Sequence, residues 1–167
     1  QKNKITDSIS YAKRIQDSIL PSDKIIKKYF PNSFIFFRPR DIVSGDFYWF
    51  AEPMANSANT SESPVFIAAA DCTGHGVPGA LMSMIGSTML NEIVNNKKIF
   101  SPSEILSELN DGIIKALNQT ANESDDVPSD GMDITLCKID TSSKKIYISC
   151  ASHVVFVVNN EEIKMIE

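Results

Sequence analysis

Ala68-Ala69-Ala70-Asp71-Cys72-Thr73-Gly74-His75-Gly76-Val77-Pro78-Gly79-Ala80 runs from an apolar strand through an acid into a glycine-rich turn and on into a helix. The pattern delivers the Asp71 carboxylate at the exposed end of the strand. Small residues keep the turn tight and let backbone groups come close to a ligand. Gly74 and Gly76 flank His75, which puts that imidazole on the turn, open to solvent. An acid in this position can also cap a helix or form an Asx turn, and a glycine-rich turn can be no more than a turn.

Upstream lies a second acid in a similar setting, in Arg38-Pro39-Arg40-Asp41-Ile42-Val43-Ser44-Gly45-Asp46-Phe47-Tyr48-Trp49-Phe50. Asp46 follows a glycine and opens an aromatic strand, whose natural partner is the strand ending in Asp71. If the two pair as a hairpin, both carboxylates can lie at one end of the sheet. Oxygen ligands, few protein contacts and room for water are what hard cations such as Mg2+ or Mn2+ require.

The rest of the chain supplies the scaffold. Ile5, Ala12, Ile15 and Ile19 fall on first and fourth heptad positions, with Ser8 the exception, and predict a helix over 2–20 stopped by Pro21. It reads either as an amphipathic helix on its own domain or as the end of a coiled-coil linker. A short helical patch covers 23–29, and β signals follow at 33–37, 47–50 and 65–70, rich in aromatic and β-branched residues. Residues 77–95 predict a helix that is apolar on nearly every side and so heavily covered. Ser101-Pro102-Ser103-Glu104 predicts a capping box opening a second helix, with Ile105, Leu109, Ile113 and Leu117 as its buried stripe. Residues 54–64 and 118–130 read as polar surface loops, and strands are expected over 132–139, 145–151, 154–158 and 162–166. Strands, then two helices, then strands predict an α+β fold: antiparallel sheet with a helical pair on a face.

Composition narrows the function classes. With 43% hydrophobic and 22% charged residues in 167, the chain reads as one globular domain able to bury roughly two thirds of its surface without a structural metal. A formal net charge of −5 and scattered basic residues argue against nucleic acid as a partner. Cys72, Cys137 and Cys150 are odd in number and lack CxxC spacing, which predicts reduced thiols and a cytoplasmic setting. No run is long and apolar enough for a membrane span or a secretory signal. A start at Gln1 inside a helical pattern predicts a piece of a longer protein, whose upstream part could be membrane-anchored.

The paired Val-Ser-Gly-Asp block (43–46) and Asp-x-x-Gly-His-Gly block (71–76), joined by one hairpin, resemble the stage II sporulation protein E (SpoIIE) type of the PPM, or protein phosphatase 2C-like, superfamily. The proline-terminated lead-in helix, the continuation through Met82-Ser83-Met84-Ile85-Gly86, and Gly131-Met132-Asp133-Ile134 extend the resemblance over most of the chain. It implies an antiparallel β-sandwich flanked by helix pairs, with residues 1–21 a linker helix and 22–167 the phosphatase domain. It also implies a two-metal phosphatase acting on phosphoserine or phosphothreonine of a partner protein, of which an anti-sigma-factor antagonist is the example the family suggests. Carried over, Asp46 ligates one Mn2+ or Mg2+, Asp71 bridges two, and the backbone carbonyl of Cys72 completes a shell. Two cations can activate a shared water without an enzyme nucleophile.

His75 is a candidate general acid, although a turn histidine can equally bond its own loop. Arg38 and Arg40 are candidate phosphate clamps, or solvated arginines at a strand end. Asp133 is a candidate accessory metal ligand or a surface-facing strand residue, and His153 departs from the turn the family leads one to expect. The resemblance further implies a Thr-Asp-Gly metal-ligand block beyond Glu167, so the domain is expected to be C-terminally truncated, with weaker metal binding and an edge open to a second copy. Thr73 stands where a haloacid-dehalogenase-like site needs its second Asp, and no Lys follows the glycines as a P-loop requires. The rival reading is a catalytically silent regulatory module of the same fold, dimerising through the lead-in helix.

Overall fold

The computed structural model describes residues 2–53, 64–119, 130–159 and 162–166. In chain order the elements are helices α1 (Lys2–Ile19) and α2 (Asp23–Tyr29), strands β1 (Phe47–Ala51) and β2 (Val65–Cys72), helices α3 (Gly76–Asn91) and α4 (Pro102–Ala116), and strands β3 (Met132–Asp140), β4 (Lys145–Ala151), β5 (Val155–Asn159) and β6 (Glu162–Ile166). β1-β2-β3-β4 form one antiparallel sheet in that order, and β5-β6 form a second, two-stranded one. The α+β class, with antiparallel sheets and a helix pair, is borne out. Most of the expected loops, 54–63 and 120–129, lie outside the described residues.

Alternation along the strands assigns the two faces of the sheet. Phe47, Trp49 and Ala51 of β1, Phe66, Ala68, Ala70 and Cys72 of β2, and Ile134 and Leu136 of β3 are buried in one core with Leu90, Ile105, Leu109 and Ile113 from the helix pair. Phe66, Leu90, Ile105 and Leu136 have no exposed surface at all. On the other face α2 covers one corner, where Ile26 packs with Phe50 and Val65. Between those faces the strand ends stay accessible, and that is where both candidate acids fall.

Several local expectations change. Residues 33–37 form no ladder; Ile35 packs on the second cluster and Phe37 meets Tyr48 edge-on at 5.5 Å, while Phe34 and Phe36 are 85% and 84% exposed. Alternating aromatics make the segment extended, but a strand also needs a neighbouring backbone to bond. The capping box at α4 does not form, because Ser101 Oγ pairs with Ser103 Oγ at 3.1 Å rather than with a backbone N–H. The apolar run 77–95 is one helix only to Asn91; Glu92–Asn96 widen into a π turn, and Asn91 Oδ1 accepts the Trp49 indole N–H at 3.1 Å. Nor is α3 covered on every side, since Leu81 is 56% exposed. Among the described residues no helix is long and apolar enough to cross a membrane.

α1 is held to the domain by one buried amide. Gln16 Nε2 donates to the Ser44 carbonyl at 2.6 Å and to Ser83 Oγ at 2.8 Å, and its Oε1 accepts the Ser44 N–H at 3.0 Å. Ser83 passes its own proton to the Ala80 carbonyl at 2.8 Å, so all partners are satisfied. The lead-in helix, the loop ahead of Asp46 and α3 therefore meet at a single side chain. Gln16→Ala strips buried partners from Ser44 and Ser83 and is expected to cost about 1–3 kcal/mol, read as a lower urea midpoint. An unchanged midpoint would show that the clamp contributes nothing.

Candidate active site

The β1–β2 register puts Phe47 opposite Ala70, the last pair of that ladder, so Asp46 and Asp71 stand one residue beyond it on adjacent strands. Asp71 is exposed while Ala70 and Cys72 are buried, so its carboxylate points away from the helix-covered core. The two carboxyls are close enough for Asp71 to act on the titration of Asp46. Asp46 titrates above the ordinary carboxylate range, first because burial at the strand end disfavours its charge, then because of the shared hydrogen bond and the charge of Asp71. Two acids held this way repel one another unless a proton or a cation lies between them.

Thr73-Gly74-His75 bends sharply behind them. Gly74 adopts φ +87° and Gly76 φ +63°, both in the left-handed region that glycine enters without steric cost. The first turn of α3 packs directly under this bend: a Cβ on Gly79 would sit 2.7 Å from the Gly74 carbonyl oxygen and 3.0 Å from Gly45 Cα. A Cβ on Gly45 would lie 3.1 Å from the Cys72 carbonyl oxygen. The backbone carbonyls of Cys72 and Gly74 thus converge on the loop that carries Asp46. Thr73 secures the far side, donating its N–H and hydroxyl to the Gly131 carbonyl at 3.0 and 3.1 Å and accepting the Gly131 N–H at 3.0 Å.

The other candidates separate. The Cys72 thiol is buried among the core side chains and pushed up to about 12, by burial first and then by the nearby acids, so only its carbonyl faces the site. His75 is the residue before α3 but makes no side-chain capping bond, and Asp71 is not that helix's cap. Arg38 lines a groove of about 790 Å³ together with Asp46 and Asp71, whereas Arg40 is exposed outside it. Asp133 pairs with Asp71 across β2–β3, which sets it on the same face of the sheet. It nevertheless does not complete a cluster: among the described residues no third His, Cys, Asp or Glu joins the acid pair at metal-binding distance. His153 lines the same groove, with Nδ1 3.3 Å from Thr135 Oγ1.

Sequence reading passed over three participants. Gly79 acts through close backbone approach, Thr73 through its hydrogen bonds to Gly131, and Asp41 lies 3.1 Å from the His75 ring nitrogen. No spacing rule connects position 41 to 75, or 73 to 131, so nothing in the sequence could have flagged those contacts.

The donor set suits a hard divalent cation. Two carboxylates with adjacent backbone carbonyls are oxygen ligands, and so few of them leave the waters that Mg2+ and Mn2+ retain. Asp46 and Asp71 would hold the ion, with the Cys72 carbonyl beside them.

Comparison with known proteins agrees with this geometry. The family model described as stage II sporulation protein E (SpoIIE) matches residues 61–166. Among solved structures, the SiaA-PP2C domain of Pseudomonas aeruginosa is similar at 29% identity and a TM-score of 0.81. The match covers 99% of this chain and 61% of that one, so the chain spans less than two thirds of its relative. No curated protein matches significantly.

Two outcomes test the site. Removing one of two repelling carboxylates by Asp71→Asn should raise the thermal midpoint of metal-free protein and abolish the stabilisation by Mn2+. That stabilisation should reach about 2.7 kcal/mol in wild type at a hundredfold excess over Kd. Gly79→Ala, whose new methyl meets the Gly74 carbonyl, should cost about 1–3 kcal/mol by overpacking and weaken Mn2+ binding in calorimetry. Normal Mn2+ affinity in Gly79→Ala would mean that the bend does not set the site.

Proposed function

This chain belongs to the stage II sporulation protein E (SpoIIE) family and has the PP2C fold, and from that premise we propose that it is the metal-binding part of a phosphoprotein phosphatase. Its reaction is hydrolysis of phosphoserine or phosphothreonine on a partner protein. The observation that carries the reading is the pair of acids on neighbouring strand ends, close enough that Asp71 disfavours the charge of Asp46. Electrostatic opposition of that kind destabilises a fold and is understandable where a cation neutralises it.

In this reading Asp46 and Asp71 hold two or more Mn2+ or Mg2+ ions, with the Cys72 carbonyl completing a shell. The ions, when bound, lower the pKa of a water and offset charge on the phosphoryl oxygens. Arg38 borders the same groove and supplies a guanidinium to the incoming phosphate. The buried Cys72 thiol is too high in pKa to act as a nucleophile, and in this reading water is the attacking group.

The partner is a phosphoprotein, in a bacterial signalling setting on the cytoplasmic side. α1 leaves Ile5, Tyr11 and Ile15 exposed, a stripe that suits an upstream coiled coil or a second copy of the chain. The alternative, a silent regulatory module, draws on the absence of a third acidic ligand among the described residues.

The expected result is hydrolysis of a phosphoserine peptide by the full-length protein that carries this chain, in Mn2+ or Mg2+ and not in chelator. Asp71→Asn should lower kcat/KM on the order of 100-fold or more, since even residues that only support metal ligands cost up to about that much. Equal rates in chelator would sink the mechanism.

A further inference from the structure

Asp41 precedes Asp46 in the same loop, and its Oδ2 lies 3.1 Å from Nδ1 of His75, 34 residues away in sequence. An ionised carboxylate only accepts hydrogen bonds, so Nδ1 carries the proton in this contact whether the ring is neutral or charged. Nε2 is thereby left for another partner, and among the described residues it has none. The His75 side chain is 69% exposed and is flanked by two glycines. It makes no capping bond to α3, so Asp41 is the group that fixes the direction of the ring. Asp41 in turn lies against the Gly76 backbone, where a Cβ would come within 3.8 Å of Oδ2.

A solvent-exposed pair like this contributes little to stability. Placed four residues beyond Asp71 on the same turn, it can instead orient a proton donor. We propose that Asp41 is a positioning residue that holds His75 with Nε2–H directed at the seryl or threonyl oxygen leaving the phosphate. This rests on the phosphatase reading above. In the step, water adds to phosphorus and the P–O ester bond breaks with its electron pair remaining on the seryl oxygen. That oxygen takes the Nε2 proton, giving the alcohol and inorganic phosphate. The ring is left neutral with Nδ1–H still donated to Asp41, and the proton released by the attacking water restores it through solvent.

The test compares a phosphoserine peptide, whose alkoxide needs a proton to leave, with p-nitrophenyl phosphate, whose phenolate does not. In Mn2+, Asp41→Ala should lower kcat on the peptide about 100-fold with little change in KM, and the loss on the nitrophenyl ester should be at least about tenfold smaller. His75→Gln should show the same split, and the double variant should add little to it. Asp41→Asn, which keeps an acceptor, should recover part of the peptide rate. Equal losses on both esters, or none, would overturn the assignment.

A second readout is independent of turnover. The chain has two histidines, so long-range 1H–15N spectra resolve His75 from His153. Asp41→Ala should move the His75 Nδ1 resonance and leave His153 in place. An unmoved His75 signal overturns the positioning role whatever the kinetics. Failure of the wild type to hydrolyse either ester in Mn2+ overturns the phosphatase reading and the proton-donor role with it, while the spectrum still decides whether Asp41 holds the ring.

Discussion

Pairing of β1 on β2 places Phe47 against Ala70, Trp49 against Ala68 and Ala51 against Phe66, and the position of every candidate group follows from that register. Side chains alternate with a period of two, so a slip by one residue would drive Asp71 into the helix-covered core and turn Cys72 out to the site. Burial of Phe66, Ala68 and Ala70 opposes such a slip, because each would exchange a packed environment for solvent. The hydrophobic core therefore fixes the acid pair, although neither acid belongs to it.

A second constraint comes from what the backbone can approach. The Gly74 carbonyl, Gly45 and the first turn of α3 meet where no side chain fits, which carries the rigidity of a helix packed in the core up to the bend beside Asp71. The far end of the bend is tied through Thr73 to Gly131 at the entry to β3. A site fixed from both sides can hold two like charges together, which an unsupported loop would relax by moving apart.

The lead-in helix joins the same frame by a different interaction. Gln16 bonds both the N–H and the carbonyl of Ser44, two residues before Asp46, and also reaches Ser83 on α3. Buried amides with all partners satisfied specify one arrangement, because any displacement of the helix leaves polar groups unpaired. The exposed stripe of α1 and its buried glutamine lie on one rigid element, so whatever grips the former is mechanically connected to the loop of the acid pair.

What was legible in the sequence is what rests on local chemistry. Runs rich in aromatic and β-branched residues gave β1 and β2, Pro21 ended α1, the glycines marked the bend after Asp71, and two acid-bearing blocks joined by a hairpin pointed to one metal-binding rim. Misreadings arose where a local pattern lacked its tertiary partner: the aromatic run 33–37 has no strand beside it, and Ser101 found Ser103 instead of a backbone N–H. Arg40 and Asp133 mark the same limit: neither lines the groove shared by Arg38, Asp46 and Asp71, and no local pattern in the sequence separates them from the residues that do. Only the folded chain could decide that Gln16 belongs with Ser44, Thr73 with Gly131 and Asp41 with His75. Those contacts span 28, 58 and 34 residues, and a hydrogen bond between distant segments leaves no periodicity in the sequence from which it could be read.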